Sequence, residues 1–157
     1  MPGSARSVAS ATTEAPPATM LYLIKQVELA VRSRLDELTA AHGITTIQYT
    51  ALTALERHPG LIAAQLARMS FVRAQSMTQL LDALESRGLV RRVPDPSSRR
   101  QMRISLTDAA AELLDRMREP AAEIEREMTS ALSPADVISL GEMLQSCRAG
   151  LASGAGR

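Results

Sequence analysis

Residues 87–107 read RGLVRRVPDPSSRRQMRISLT, and this stretch decides the fold. Residues 89–93 form a β-type run, residues 94–98 have turn chemistry, and residues 102–106 alternate apolar with polar side chains. The pattern predicts a two-stranded ribbon. Only one acid, Asp95, accompanies its arginines, which are Arg87, Arg91, Arg92, Arg99, Arg100 and Arg103. Guanidinium groups fork onto phosphates and base edges, so the ribbon suits a phosphate-lined groove, although charge alone favours a solvated surface hairpin.

The composition limits both the fold and the function class. The chain has 157 residues, which fits one domain with helical extensions. It contains one Phe, two Tyr and no Trp, so its core must be aliphatic, which favours packed helices. The net charge of +1 excludes a globally basic nucleic-acid coat. Residues 87–103 are nevertheless strongly basic and residues 108–136 are acidic, so we expect one face to meet a polyanion.

Cysteine usage and hydropathy bear on the compartment. Cys147 is the only cysteine, which rules out an intramolecular disulfide and fits a reducing environment. No apolar run is long enough to span a bilayer, and the N-terminus does not have the pattern of a secretory signal. We therefore expect a cytoplasmic protein. Cys147 lies on the apolar seam of the predicted last helix, so we expect a buried thiol rather than a redox sensor.

Four helical patterns precede the ribbon. Residues 1–18 are small and polar and should form a disordered tail, and an apolar stripe then predicts a helix over residues 19–42 that Gly43 ends. Thr45 and Gln48 have capping-box spacing and should start the second helix.

The third and fourth helices form a helix-turn-helix. Residues 61–69 and 73–87 have helical periodicity, and residues 70–72 separate them. The fourth helix has one apolar face and one polar face, and Gly88 should cap its end.

Two more helical patterns follow the ribbon. Thr107 should cap a long helix, which Pro120 should kink or split. Residues 133–136 start another helix, and residues 152–157 should fray. The apolar stripes of these outer helices exceed what one small domain can bury, so we expect a two-fold dimer, the alternative being a monomeric bundle. The predicted organisation is a tail (1–18), an N-terminal dimerisation helix (19–42), a DNA-binding domain (43–107), C-terminal dimerisation helices (108–151) and a frayed end (152–157).

Together these elements predict a winged helix-turn-helix. The fold class is mainly α with a small β-hairpin wing (α+β), flanked by N- and C-terminal dimerisation helices. The polar helix should enter the major groove, and the basic wing should lie along the backbone or push arginine into the minor groove. The candidate DNA contacts are Arg73, Gln75, Ser76, Thr78 and Gln79 on the helix, and Arg91, Arg92, Arg99 and Arg100 on the wing.

Residues 60–90, with the wing that follows from Asp95 to Thr107, resemble the MarR family of bacterial transcriptional regulators. The resemblance extends over about residues 20–150. It implies a homodimer that binds double-stranded, pseudo-palindromic operator DNA and usually represses neighbouring genes. It also implies that a small aromatic or phenolic ligand can release the DNA from a pocket between the dimer helices and the reading domain. By position, Arg100 is the wing-tip arginine of the family.

The sequence departs from the family pattern at three positions. Ser98 stands where an acid usually braces the wing arginine, so either Asp95 substitutes for that acid or the tip is looser. Phe71 replaces a usual glycine in the turn and could plug the core. Arg73-Ala74 replaces Ser-Pro at the start of the reading helix, which loses an N-cap but places a cation at the groove entrance.

Other residues support weaker hypotheses. Tyr22 and Tyr49 lie on the two helices that would border a ligand pocket, although each could be an ordinary core residue. His42 and His58 lack partners at metal-ligand spacing, and no catalytic constellation or phosphate loop is present, so we expect neither an enzyme nor a cofactor. The alternative function is a winged-helix dimerisation or protein-interaction module that does not bind DNA.

Overall fold

The computed structural model describes residues 17–70 and 72–154, and within them the chain forms six helices and one antiparallel two-stranded sheet. The elements are α1 (Met20–Ala41), α2 (Thr46–Arg57), α3 (Ala63–Met69), α4 (Ala74–Ser86), β1 (Val90–Asp95), β2 (Ser98–Leu106), α5 (Asp108–Met128) and α6 (Pro134–Gly154). This order confirms the predicted α+β class with a β-hairpin wing. Residues 1–16 of the predicted tail, the proposed core plug Phe71 and residues 155–157 lie outside the described residues.

Local side-chain hydrogen bonds start the helices where the sequence predicts. Thr45 and Gln48 form the expected capping box, in which the Gln48 amide donates to Thr45 Oγ1 at 3.2 Å and the Thr45 amide donates to Gln48 Oε1 at 3.0 Å. Thr19 Oγ1 accepts from the Tyr22 amide in the same way at the start of α1. Such caps satisfy backbone donors that have no partner inside the helix.

The start of α3 differs from the prediction. A helix beginning at residue 61 is wrong, because Leu61 and Ile62 are extended and α3 begins at Ala63. The Ile104 amide donates to the Leu61 carbonyl at 2.8 Å, and Ile62 forms a bridge with Arg103 of β2. Pairing with the open edge of the hairpin satisfies backbone groups that a longer helix would have satisfied internally. As a result, the wing is bonded directly to the segment that leads into α3.

An aliphatic core holds the central helices and the base of the wing together, as the scarcity of aromatic residues predicts. Its fully buried side chains include Leu52, Leu66, Leu81, Ile104 and Met117. These residues come from α2, α3, α4, β2 and α5, so one core fixes the reading helix against both the wing and the long C-terminal helix. Burying each such side chain contributes roughly 1.5–3 kcal/mol.

The two C-terminal helices are longer than predicted. Pro120 does not split α5, which is continuous from Asp108 to Met128. The Ser133 side chain caps α6 through the Asp136 amide at 3.2 Å. That helix continues to Gly154, so the expectation of fraying is wrong for residues 152–154.

The side chain of Cys147 is exposed in the single chain, and the prediction of a buried thiol is wrong at this level. The reason is that the apolar seam of α6 packs against little of its own chain. Most of its side chains from Pro134 to Leu151 are exposed, and only Val137, Leu140 and Gly141 are half-buried.

Candidate nucleic-acid interface

Helix α4 presents a polar face to solvent. Met77, Leu81 and Leu84 are buried in the core. The other side carries five predicted contacts that are all exposed, namely Arg73, Gln75, Ser76, Thr78 and Gln79. Arg73 is the N-cap residue, and its side chain makes no capping hydrogen bond, so its guanidinium is not used to hold the helix. The arrangement leaves donors and acceptors free along the N-terminal part of α4, the part that reads base edges in helix-turn-helix proteins.

The C-terminal end of α4 is fixed at three points. Gly88 has a φ of +69°, a left-handed conformation that suits glycine, and the Leu89 amide then donates to the Leu84 carbonyl at 3.0 Å. The guanidinium of Arg87 donates to the carbonyl of Gly43, which lies in the turn between α1 and α2. The reading helix is therefore tied to the turn that joins the first two helices.

Thr107 closes the base of the wing. Its Oγ1 donates to the Gly88 carbonyl at 2.6 Å and accepts from the Ala110 amide at 3.3 Å, while its own amide donates to the Leu89 carbonyl at 3.1 Å. One residue thus caps α5 and joins the end of the reading helix to the end of β2.

The two strands of the wing pair regularly up to the tip and then shift. The register runs from Val90 opposite Leu106 to Pro94 opposite Met102, after which Asp95 pairs with Ser98. Residues 99–101 of β2 therefore have no counterpart on β1. This irregularity contains the two predicted tip arginines.

Asp95 organises the turn beside these arginines. Its carboxylate accepts hydrogen bonds from the Ser97 amide at 2.8 Å and the Ser97 hydroxyl at 2.7 Å, and it pairs with Arg103 Nε at 3.0 Å. The ion pair with Arg103, followed by the two Ser97 hydrogen bonds, lowers the pKa of Asp95 to about 2. Asp95 therefore braces the wing in the absence of an acid at Ser98, but it holds Arg103 rather than Arg100.

Arg92 has a different environment from the one expected of a phosphate contact. Its guanidinium pairs with Asp82 at 2.6 Å and with Glu85, both on α4. The hydrogen bond from Asp82 is the main cause of the raised pKa of Arg92. Two carboxylates already neutralise this arginine, and the interaction ties β1 to the reading helix.

The structure thus divides the six arginines of the ribbon into two groups. Arg87, Arg92 and Arg103 hold parts of the fold together. Arg91 and Arg100 are exposed, and neither forms an ion pair or side-chain hydrogen bond within residues 17–70 and 72–154. The side chain of Arg99 lies outside the described part. The residue types alone gave no means of separating these groups, because their partners come from other elements.

The two candidate pocket tyrosines are not brought together within one chain. Tyr49 lines a cleft of about 250 Å³ between α2 and α5, next to Glu56 and Arg118, and burial raises its pKa. Tyr22 is 57% exposed on α1 and lines neither this cleft nor the cavity described next.

Sequence reasoning missed a cavity of about 450 Å³ between α1, α2 and the turn before α4. Val31, Leu35, Ile47 and Val72 line it, together with the polar residues Thr46, Thr50, Ser70, Glu28 and Arg32. Ser70 is only 7% exposed, and its Oγ has no hydrogen-bond partner among the described residues. We call this space the Ser70 cavity. No local sequence signal marks it, because the burial of Ser70 depends on tertiary packing.

Comparison with known proteins identifies the group to which this arrangement belongs. Residues 42–101, which hold the helix-turn-helix and most of the wing, match the model of the MarR family. The transcriptional repressor Rv2887 of Mycobacterium tuberculosis is 33% identical over 93 residues, a match that covers 59% of this chain and 67% of that protein. The chain belongs to the MarR family. Its relatives are transcriptional regulators and not enzymes.

Solved structures of other MarR-family proteins agree with this fold. The transcriptional repressor CouR, bound to a 23-mer DNA duplex, superposes with a TM-score of 0.74 at 28% identity, covering 83% of this chain and 92% of that one. Rv2887 in complex with salicylic acid gives a TM-score of 0.67 at 27% identity, covering 83% and 97%. No helix in residues 17–70 and 72–154 has the length and hydropathy to cross a membrane.

Proposed function

We propose that this MarR-family regulator binds pseudo-palindromic operator DNA as a homodimer and represses the adjacent genes. The observation that carries the proposal is the juxtaposition of a free polar face on α4 with the unpaired wing arginines Arg91 and Arg100. A helix of this kind fits the major groove, and the neighbouring cations fit the phosphate backbone.

Each candidate residue then has a specific role. Gln75, Ser76, Thr78 and Gln79 offer hydrogen-bonding groups to base edges, and Arg73 reaches phosphate or guanine at the groove entrance. Arg100 and Arg91 supply phosphate contacts, as does Arg99 by its position at the tip. We assign Arg92 a positioning role instead, because its guanidinium already binds Asp82 and Glu85.

Exposed apolar side chains on the two terminal helices support the dimer. They are Met20, Leu21, Leu23, Ile24 and Val27 on α1, and Ile138, Met143, Leu144 and Leu151 on α6. Leu21 and Leu151 are 81% and 78% exposed in the single chain. A monomer rarely leaves so many large apolar groups in water. Pairing these helices about a two-fold axis would bury them and set two reading helices about 34 Å apart, one turn of DNA.

The Ser70 cavity supports regulation by a small phenolic or lipophilic ligand. Its apolar walls suit a ring or an aliphatic body, and the buried hydroxyl of Ser70 lacks a partner that a ligand could supply. Ser70 caps the end of α3, immediately before the turn into α4. A ligand bonded there would act on the turn that aims the reading helix. Tyr49, and Tyr22 from a partner copy, remain predicted pocket residues.

Fluorescence anisotropy with the DNA upstream of the chain's own gene tests the function. We expect tight binding that weakens steeply as salt rises from about 50 to 200 mM, because phosphate contacts release counterions. A stable dimer by sedimentation without salt-sensitive duplex binding would instead support the protein-interaction module. An operator-binding regulator must share a compartment with chromosomal DNA, so we place its action in the cytoplasm.

A further inference from the structure

We propose that a second cavity, between the end of α2, the end of α3 and α6, binds a small organic acid. This α2–α6 cleft has a volume of about 600 Å³. The residues that line it include Arg57, His58, Arg148, Gln145, Met69 and Ala54. It is distinct from the Ser70 cavity, with which it shares one lining residue on α2.

The lining of the α2–α6 cleft is cationic. It contains two arginines and a histidine but no acid, whereas the Ser70 cavity contains Glu28 and the α2–α5 cleft contains Glu56 and Glu125. An anion entering the α2–α6 cleft therefore meets positive groups on two sides and no opposing carboxylate.

The two arginines of the cleft also differ from most arginines on the outer helices. Arg34, Arg118 and Arg126 each bind at least one carboxylate. Arg57 and Arg148 form no ion pair and no side-chain hydrogen bond within residues 17–70 and 72–154. A planar guanidinium binds a carboxylate through two parallel hydrogen bonds, so two free guanidiniums on one cavity form a suitable receptor for a carboxylate.

The remaining lining indicates that the acid has an apolar body. Met69 and Ala54 provide an apolar wall, and methionine adapts its shape to rings and chains. The volume also lies within the range of roughly 300–1,000 Å³ that is typical of small-molecule sites, and it exceeds the size of an inorganic anion. The structure therefore assigns the cleft to a carboxylate attached to an aromatic or aliphatic group.

Such a ligand would join two parts of the molecule. Arg148 and Gln145 belong to α6, while Arg57 ends α2 and Met69 ends α3. A carboxylate held by Arg57 and Arg148 would restrain the helix-turn-helix relative to the C-terminal helix. That this restraint changes operator affinity rests on the proposed function, whereas binding of the acid does not.

Nuclear magnetic resonance on the full chain without DNA tests the site. Methionine methyl groups are labelled with ¹³C, Met69 is assigned from the Met69→Leu spectrum, and benzoate is titrated. We expect the Met69 methyl signal to shift with saturation, and benzamide, the neutral analogue, to bind at least about tenfold more weakly. Arg57→Gln and Arg148→Gln should each weaken benzoate binding by about tenfold or more, since each removes a charge-assisted hydrogen-bond donor. Arg148→Lys should bind with intermediate affinity.

Arg116→Gln is the matched control, because Arg116 is an exposed arginine of α5 that does not line the α2–α6 cleft. Circular dichroism confirms that each variant is folded. Equal binding of benzoate and benzamide would overturn the proposal, as would equal affinities in the parent and the Arg57→Gln/Arg148→Gln double variant. A Met69 signal that responds to inorganic phosphate as strongly as to benzoate would also overturn it.

Operator anisotropy with and without benzoate separates this inference from the proposed function. Absence of operator binding contradicts the proposed function and leaves the acid site supported by the titration. Benzoate binding that leaves operator affinity unchanged upholds the site and contradicts the regulatory coupling.

Discussion

Arg103 Nε lies 3.0 Å from Asp95 Oδ2, and this ion pair joins the two strands of the wing immediately below its tip. The Asp95 side chain is 7% exposed, so water competes little for its oxygens. Arg103 also passes Gly60, where an added Cβ would lie 3.5 Å from the arginine Cδ. Because Gly60 itself has a φ of +80°, a larger residue there would be strained as well as close to Arg103. The pair therefore braces the wing against the segment that precedes α3.

The Asp95 pair predicts a specific dependence of stability on pH. The pKa of Asp95 is lowered to about 2 in the folded protein. A lowered pKa stabilises the fold above the ordinary carboxyl pKa of about 4, and the contribution disappears as pH falls from about 4 towards 2. Asp95→Asn should therefore have a lower free energy of unfolding than the parent at pH 7, and the difference should shrink through that window. Urea unfolding at several pH values measures it. Glu112→Gln, an exposed acid on α5, should show no such dependence.

Arg100 should contribute a phosphate contact from each wing. Arg100→Ala should reduce the slope of log affinity against log salt by about 0.9 for each of the two wings, because one counterion fewer is released at each. Anisotropy across a salt series measures the slope. Arg116→Ala, which alters an exposed charge on α5, should leave it unchanged. An unchanged slope in Arg100→Ala would show that the tip does not touch phosphate.

Arg92 should behave in the opposite way to Arg100. Arg92→Ala breaks the interaction with Asp82 and Glu85 and should lower the free energy of unfolding by roughly 0.5–1 kcal/mol, the range of a partly exposed ion pair. The salt slope of DNA binding should stay at the parental value. Chemical unfolding and the anisotropy series together test this, and a reduced slope would return Arg92 to the DNA contacts.

The seam of α6 should be required for dimerisation. Leu144→Glu places a charge among apolar side chains that pairing would bury, so sedimentation should show monomers at concentrations where the parent is dimeric. Ser146→Glu lies about 160° away around the helix and should leave the dimer intact. Dimers that survive Leu144→Glu would place the interface elsewhere.

Ser70 should reduce the stability of the ligand-free protein. An unpaired buried hydroxyl costs about 1–3 kcal/mol, so Ser70→Ala should raise the free energy of unfolding by about 1 kcal/mol. Ser76→Ala, at an exposed position on α4, provides the comparison and should have little effect. A destabilised Ser70→Ala protein would mean that the hydroxyl has a partner in solution and is not available to a ligand.

The sequence predicted most reliably those features whose causes are local. The capping box of Thr45 with Gln48, the left-handed Gly88 and the hairpin all depend on residues close together in the chain, and all are confirmed. The exposure of the predicted contacts on α4 follows from helical periodicity in the same way.

Features set by distant partners were not predictable from these patterns. Leu61 and Ile62 have helical periodicity, but their backbone conformation depends on Ile104 and Arg103, which lie more than forty positions later. The separation of Arg92 from Arg100 depends on which carboxylates the fold brings near each. The exposure of Cys147 depends on whether a second copy covers its helix, which the periodicity of one chain does not specify.

The hydrogen bonds of Thr107 make α5 a mechanical lever. They fasten the first turn of the helix to the end of the reading helix and to the wing. From there α5 extends for 21 residues, a length of about 31 Å at 1.5 Å per residue. A tilt of only about 5° at the far end of α5 would move the fastened end by about 3 Å, close to the 3.4 Å rise of one base-pair step. Repacking the outer helices by a few degrees is therefore enough to put the reading helices out of register with the DNA.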